Sequence, residues 1–200
     1  MEPVDKVHSI GVPLLRDNID TDAIIPSREI KTVSKTGLAD GLFAGWRYQR
    51  TEGREPNPAF VLNDPAYQNA RILLAGANFG CGSSREHAVW ALKEYGFRAI
   101  IAPSFNSIFR GNCVRNGIIP VVLDAHSVAA AKQPLTVDLR AQTVGAASGE
   151  VWHFELDEES KSMLEHGLDA IDLTLLRQAD IERFRAQDAQ KRPWVYLDGR

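Results

Sequence analysis

Cysteine is scarce in this chain of 200 residues, which contains only Cys81 and Cys113. Two cysteines are too few for a disulfide framework, and on their own they cannot hold a structural zinc ion or an iron-sulfur cluster. Any metal group of that kind would therefore have to be held by another chain.

The chain also lacks an excess of charge of one sign and any long apolar run. Its 23 Lys and Arg residues are balanced by 26 Asp and Glu residues, for a net charge of -3. No bulk field therefore attracts nucleic acid or an anionic membrane. The first residues show neither the basic start nor the apolar segment of a secretory signal. The sequence contains no run of about 18 consecutive apolar residues, the length that a transmembrane helix needs. We expect a cytoplasmic protein without nucleic-acid or membrane partners.

What is present is an ordinary globular composition. Hydrophobic residues make up 44% of the chain and charged residues 24%, with 15 glycines and 10 prolines. These values exclude disordered, collagen-like and disulfide-scaffold proteins. The length predicts one domain with a sizeable core.

The middle of the chain alternates between strand and helix patterns. Short apolar runs of buried-strand length enclose stretches in which apolar residues recur at helical spacing. The predicted order is strand 72–77, helix 83–95, strand 99–102, a helical stretch from 103 through 109, and strand 118–123. This alternation predicts parallel strand pairing with right-handed crossovers.

Antiparallel strands are predicted on either side of this centre. Residues 4–15 have the pattern of an N-terminal strand. Residues 135–144 and 150–156 have the pattern of two strands joined by the small-residue turn 145–149, which predicts a hairpin.

The end of the chain is predicted to be helical. Acidic residues at 157–159, followed by His166 and Gly167, are typical of a helix with charge matched to its dipole. A further helix is predicted at 179–190. The polar, breaker-rich segment 51–58 is predicted to be a mobile surface excursion.

The segment Asn78–His87 reads Asn-Phe-Gly-Cys-Gly-Ser-Ser-Arg-Glu-His and lies between a predicted strand and a predicted helix. Ligands of α/β sheets bind beyond the carboxyl ends of the strands, and a helix N-terminus offers unpaired N–H groups. Two glycines let the backbone approach an anion, Ser83 and Ser84 add donors, and Arg85 offers a planar fork for carboxylate or phosphate. The segment predicts an anion cradle. The alternative is a tight turn in which Ser83 or Ser84 caps the helix.

Two other chemistries match this segment less well. The pattern Gly80-x-Gly82 lacks the third glycine of a dinucleotide fingerprint, and no Gly-Lys-Ser or Gly-Lys-Thr sequence completes a P-loop. Nucleotide binding is therefore disfavoured. Cys81 and His87 are an alternative nucleophile and base, although the sequence suggests no third group to orient the histidine.

A second polar cluster spans residues 18–22, with the sequence Asn-Ile-Asp-Thr-Asp. Its oxygen ligands have the spacing of a calcium loop, but Ala23 stands where an EF-hand loop requires glycine, and Pro26 also departs from the pattern. Two interpretations stay open: Asx turns after a strand, or proton transfer assisted by Asp20 or Asp22. A third segment, 104–117, combines aromatics expected in the core with an Asn-Gly turn.

Taken together, residues 18–26, 78–88 and 104–120 resemble the small subunits of 3-isopropylmalate dehydratase, the swivelling-domain part of the aconitase superfamily. The Gly-Ser-Ser-Arg-Glu-His string at 82–87 is specific to that superfamily. The resemblance implies a three-layer β/β/α swivelling domain over residues 1–200. It would have a central, mostly parallel sheet, additional antiparallel strands and a helical extension at about 157–200.

The activity that this resemblance implies is that of a hydro-lyase of leucine biosynthesis, which interconverts 2-isopropylmalate and 3-isopropylmalate through isopropylmaleate. In the family, the first serine of the pair, here Ser83, is the base in its alkoxide form, and helix-end N–H groups together with Arg85 would favour that charge. Ser84 and Arg85 would bind a substrate carboxylate. Asp22 matches an aspartate of the family's site, and its role stays open.

The segment 29–33 matches the loop that reads the variable side chain of the substrate. An isopropyl group needs apolar contacts, which Ile30 and Val33 offer, whereas an additional carboxylate needs a cation, which Lys31 offers. A related hydro-lyase with the same chemistry on another acid, such as 2-methylmalate or citraconate, is an alternative. A non-catalytic carboxylate-binding module is another.

The resemblance also implies a partner. In this superfamily an iron of a [4Fe-4S] cluster acts as the Lewis acid on the leaving hydroxyl, and its three cysteine ligands would belong to a separate large subunit. Cys81 and Cys113 resemble small-subunit positions that are not cluster ligands, so no metal is expected on this chain alone. The chain is expected to act on a small dicarboxylate, and only as a heterodimer with that subunit.

Overall fold

The computed structural model describes residues 1–31, 34–50 and 53–196. The strands in these ranges are β1 (Lys6–Ser9), β2 (Gly11–Leu14), β3 (Tyr48–Arg50), β4 (Glu55–Pro56), β5 (Ile72–Ala75), β6 (Ala99–Ala102), β7 (Ile119–Val122), β8 (Leu135–Asp138), β9 (Thr143–Ala146) and β10 (Val151–His153). The helices are α1 (Thr21–Ile24), α2 (Ala44–Arg47), α3 (His87–Tyr95), α4 (Ser107–Arg115), α5 (Ala125–Ala130), α6 (Glu158–His166), α7 (Ala170–Leu175) and α8 (Gln178–Lys191).

A parallel sheet of order β2-β5-β6-β7 forms the centre of the fold. Helices α3 and α4 make the crossovers from β5 to β6 and from β6 to β7, so the predicted parallel pairing is confirmed. The predicted helix starts were wrong. The first helix begins at His87 rather than Ser83, and the second begins at Ser107, because Asn106 caps it by accepting the backbone N–H groups of Ile108 and Phe109 at 3.1 and 3.3 Å.

An antiparallel sheet of order β1-β8-β9-β10 covers one face of the parallel sheet. The single strand predicted at 4–15 was wrong, because β1 pairs with β8 while β2 pairs with β5 in the other sheet. The strand predicted at 135–144 is also two strands, separated by a turn that Gln142 makes with a positive φ of 52°. The predicted hairpin is confirmed as β9 and β10.

The three layers form because successive side chains of the central strands point alternately to the two faces of the parallel sheet. Ile72 and Leu74 of β5 face the antiparallel sheet, where Val137 and Val144 belong to the same buried cluster. Leu73 and Ala75 face the opposite way and join a second cluster that includes Ala88, Val89 and Leu92 of α3. Successive strand residues point to opposite faces, so this sheet is apolar on both sides. The three-layer β/β/α class is confirmed.

The C-terminal helices follow the predicted caps. Asp157 accepts the backbone N–H of Ser160 at 2.8 Å to begin α6, and Gly167 ends it with a left-handed φ of 69°. The helix predicted at 179–190 is α8, while α7 was not predicted. Within the described ranges, the longest helices are too short or too polar to cross a membrane.

The segment predicted to be a mobile excursion is tied to the core in its described part, 53–58. The backbone N–H of Asn57 donates to the carbonyl of Arg47 at 2.8 Å, and Arg54 forms an ion pair with Glu29 at 2.9 Å. Residues 51 and 52 lie outside the described residues.

Candidate functional site

Two loops run side by side where the parallel strands β2 and β5 end. The backbone N–H of Gly80 donates to the carbonyl of Ile19 at 2.8 Å, and that of Thr21 donates to the carbonyl of Cys81 at 2.9 Å. An isolated parallel bridge joins Asp20 to Cys81. The pairing of the two strands therefore continues into the loops and brings the predicted aspartate cluster beside the predicted anion cradle.

Glycine is required in the cradle for steric reasons. Gly80 has a φ of +74°, and a Cβ placed there would lie 2.1 Å from the ring of Phe109. Gly82 has a φ of +88°. Both values lie in the left-handed region that side chains disfavour. This turn delays the start of α3, whose N-cap is Glu86 with no side-chain capping bond. The interpretation of Ser83 or Ser84 as the helix cap is therefore wrong.

Arg85 is the centre of the hydrogen bonding in the site. Its Nη1 donates to Ser27 Oγ at 2.6 Å and its Nε donates to Ser83 Oγ at 3.2 Å. Its Nη2 forms an ion pair with Asp22 Oδ1. The guanidinium thus joins the two loops and the short 3-10 turn Ser27–Glu29.

Charge in the site is balanced between Arg85 and Asp22. The hydrogen bond from Arg85 is the main reason that the pKa of Asp22 lies below its ordinary value, since it outweighs the opposing effect of burial. Asp22 is therefore ionised at neutral pH, when it can accept a proton but has none to donate. Its side chain is 61% exposed and that of Arg85 27% exposed, so solvent reaches the pair.

The structure brings some of the predicted site residues together and places others nearby. Ser83, Arg85 and Asp22 are in contact, and Ser84 is exposed beside them in the chain. Ile30 follows the 3-10 turn and packs against the buried cluster of α3. Lys31 is exposed and lines a cleft of about 260 Å³. Val33 lies outside the described residues.

Sequence reasoning missed Ser27. Its Oγ accepts from Arg85 and also lies 3.3 Å from Asp22 Oδ1, so it touches both charged groups. The available signal was weak: a serine directly after Pro26, five residues beyond Asp22. Proline favours the start of a tight turn, and the turn directs the hydroxyl back toward the aspartate.

The alternative interpretations find less support in the geometry. His87 packs its ring against Trp90 at 4.6 Å, and its buried Nδ1 has no hydrogen-bond partner among the described residues. Cys81 and His87 share no hydrogen bond in that part of the chain. Asp20 caps α1 by accepting the N–H of Ala23 at 2.7 Å, which agrees with an Asx-type turn and occupies one of the oxygens that a calcium loop would need.

The described residues do not fit an iron-sulfur cluster or another metal centre. They contain no group of three or more His, Cys, Asp and Glu side chains placed to hold a metal ion. Cys113 is fully buried, and burial raises the pKa of its thiol well above the ordinary range, which opposes the thiolate form that a metal requires. Cys81 is half-buried at the bridge to Asp20.

Comparison with known proteins agrees with this fold. The family model for the aconitase C-terminal domain matches residues 1–126, and one described as LeuD_N matches residues 127–158. The chain is 55% identical to the 3-isopropylmalate dehydratase small subunit of Cupriavidus necator over the whole of both chains. It is 49% identical to that of Magnetococcus marinus over 99% of this chain and all of the relative.

A solved structure shows the same architecture. The crystal structure of 3-isopropylmalate dehydratase (leuD) from Methanocaldococcus jannaschii is similar with a TM-score of 0.68 and 26% identity, covering 89% of this chain and 99% of the other. The resemblance drawn from the Gly-Ser-Ser-Arg-Glu-His string and the two flanking segments is confirmed.

Proposed function

The chain belongs to the family of 3-isopropylmalate dehydratase small subunits, and on that premise we propose that it forms one half of the active site of a hydro-lyase. The proposed reaction interconverts 2-isopropylmalate and 3-isopropylmalate through isopropylmaleate. The proposal depends on one observation: the Arg85 guanidinium contacts Asp22, Ser27 and Ser83 at the same time. One cation thereby joins the two loops that the sequence singled out.

Ser83 is proposed to move the proton. Its Oγ accepts a hydrogen bond from Arg85 Nε, and a positively charged donor favours the alkoxide over the hydroxyl. Because α3 begins only at His87, four residues beyond Ser83, the proposal assigns this stabilisation to Arg85. Ser83 is exposed, so it can reach a substrate held against this face.

Arg85 and Ser84 are proposed to bind a substrate carboxylate. Removing a proton beside a carboxylate produces an enediolate-like species, whose charge a guanidinium stabilises as it develops. Asp22 and Ser27 hold the guanidinium in its plane beforehand. Because Asp22 is ionised, its proposed role is to orient Arg85 and balance its charge, or to accept a proton, rather than to act as an acid.

The segment after Ser27 is proposed to read the substrate's side chain. Ile30 is held in place by its contact with the core, and Lys31 stands free at the surface. Val33 is kept in this proposal on the family resemblance alone. Ile30 suits an apolar side chain, whereas Lys31 would suit an additional carboxylate, so substrate profiling that includes citraconate tests the alternative substrate.

The remaining parts of the proposal concern the whole assembly. The [4Fe-4S] cluster, which polarises the leaving hydroxyl when bound, is placed on a large subunit, since the described residues of this chain do not fit it. The chain is taken as one swivelling domain over residues 1–200 with a helical extension from about 157, acting in the cytoplasm.

The test is hydration of isopropylmaleate under anaerobic conditions, followed by the loss of its ultraviolet absorbance. The chain is assayed with and without a cluster-bearing large subunit. Activity only in the mixture supports a split active site. A stable complex with an intact cluster and no activity contradicts the proposal.

A pair of serine variants then separates an enzyme from a carboxylate-binding module. Ser83→Ala should abolish turnover in the mixture, while Ser148→Ala, in the distant β9–β10 turn, should leave it unchanged. A binding module would keep its affinity for isopropylmaleate in both variants and show no turnover in either the wild type or the variants.

A further inference from the structure

A second cleft, of about 550 Å³, lies at the opposite end of the parallel sheet from the cradle. Arg98 stands immediately before β6 and Asn116 lies shortly before β7, whereas the cradle follows the end of β5. The cleft is therefore at the amino ends of the strands. Its other wall is the last turns of α3, with Trp90, Lys93 and Glu94.

Four cations line this cleft, namely Lys35, Lys93, Arg98 and Arg115. Lys93 is half-buried, and its ammonium has no ion pair or hydrogen bond with any described residue. Arg98 is also half-buried; its Nη1 donates to the carbonyls of Lys93 and Phe97, both at 2.9 Å, and its Nη2 forms a long ion pair with the largely exposed Glu2 at 3.8 Å. Among the described residues Lys93 therefore has no direct partner, only the field of Glu2, and an ammonium partly removed from water without one costs free energy.

The two carboxylates that line the same cleft already have partners. Glu94 accepts the backbone N–H groups of Gly37, Leu38 and Ala39 at 2.6, 2.5 and 2.9 Å. Asp169 accepts two backbone N–H groups at the start of α7, both at 2.8 Å. Both carboxylates are directed to backbone donors, and neither forms an ion pair with Lys93. The cleft thus holds more positive charge than its own acids balance.

We propose that this cleft binds a small dianion through Lys93, Arg98 and Arg115, by way of carboxylate or phosphate oxygens. A guanidinium carries five N–H donors, of which the contacts of Arg98 and Arg115 within the chain use only some, and the ammonium of Lys93 adds further donors. The volume is that of a site for a metabolite of modest size. Burial, and then repulsion from Arg98, lower the pKa of Lys93 and outweigh the opposing attraction of Glu2; a bound anion would act in the same direction as Glu2.

Isothermal titration of the full-length chain with inorganic phosphate, and separately with malonate, tests this inference. Wild-type protein should bind at least one probe, and sodium chloride at equal ionic strength should not reproduce the heat. Lys93→Met should weaken binding by about tenfold or more, because a charge-assisted hydrogen bond is lost. The matched control Lys132→Met, at an exposed lysine outside the cleft, should stay within about twofold.

An Arg85→Met variant separates this cleft from the cradle. It should keep the Lys93-dependent binding, whereas binding lost in Arg85→Met and kept in Lys93→Met would overturn the inference. Absence of binding for both probes would also overturn it. If Lys93→Met fails to fold by circular dichroism, Arg115→Met, at an exposed position, gives the same comparison. Binding of phosphate alone identifies a phosphorylated ligand, and binding of malonate alone a dicarboxylate.

Discussion

Replacement of Arg85 by lysine is the sharpest test of the cradle, because it keeps the charge and removes the fork. A lysine ammonium is a compact charge on a flexible stem, so it cannot contact Asp22, Ser27 and Ser83 in one plane. The substitution removes the hydrogen bonds that Arg85 donates to Ser27 Oγ at 2.6 Å and to Ser83 Oγ at 3.2 Å. On the proposed function, both the alkoxide of Ser83 and the bound carboxylate lose a preorganised donor. We expect kcat/KM to fall by about 10²- to 10³-fold, or about 3 to 4 kcal/mol.

The same substitution should hardly affect folding. The side chain of Asp22 is 61% exposed and that of Arg85 27% exposed, and ion pairs open to solvent contribute about 1 kcal/mol or less. The free energy of unfolding should therefore change by no more than about 1 kcal/mol. A large loss of activity with a small loss of stability is the expected signature.

The assay is steady-state hydration of isopropylmaleate by the complex with a large subunit, with kcat and KM separated, alongside urea unfolding of each variant. Arg28→Lys is the control, since Arg28 lies in the adjacent 3-10 turn and its side chain is 56% exposed. If Arg85→Lys kept kcat/KM within about threefold of the wild-type value, the guanidinium would not be the organising group. An equal loss in Arg28→Lys would refute the reasoning as well.

Three further substitutions test the supports of the site and the linkage of folding to pH. Arg54→Met should lower the free energy of unfolding by about 2 kcal/mol in a urea titration, because the Glu29 carboxylate, 7% exposed, loses its 2.9 Å partner. Gly80→Ala should cost at least about 3 kcal/mol, seen as a lower Tm, since the added Cβ meets Phe109. Burial opposes ionisation of Glu94, but three backbone donors hold its pKa below the ordinary 4.5. The ionised carboxylate therefore stabilises the fold above pH 4.5, and this stabilisation is lost as the pH falls through the pKa of the folded state. The destabilisation caused by Glu94→Gln should accordingly vanish in acid.

The central sheet was predictable because its strands bury both faces. Runs such as 72–75 and 99–102 are continuously apolar, and the helical spacing between them leaves only parallel pairing. The division of the N-terminal segment into two strands was not predictable. Only Ile10 separates β1 from β2, yet the two strands join different sheets. Nothing in a local pattern distinguishes one long strand from two short ones that change sheets.

The candidate site shows a similar division between local and tertiary information. The residues of 78–87 could be selected from sequence because glycines, hydroxyls and a guanidinium coincide there. Their partners could not, since Ser27 is 58 residues from Arg85 and reaches it only because β2 and β5 pair. The close approach of Phe109 to Gly80 is likewise a tertiary contact, and no local rule predicts that α3 begins only at His87.

The exposure of Asp22 bears on how an unliganded cradle can stay ready for an anion. An unpaired guanidinium near Ser83 would adopt many rotamers, whereas the contacts with Asp22 and Ser27 hold it in one plane. Because the ion pair is open to solvent, giving it up costs about 1 kcal/mol or less. On the proposed function, a dianionic substrate enclosed by a large subunit would gain more from the same fork, since water is then excluded and each charged contact strengthens. Asp22 can therefore orient Arg85 in the free chain without competing strongly with the substrate.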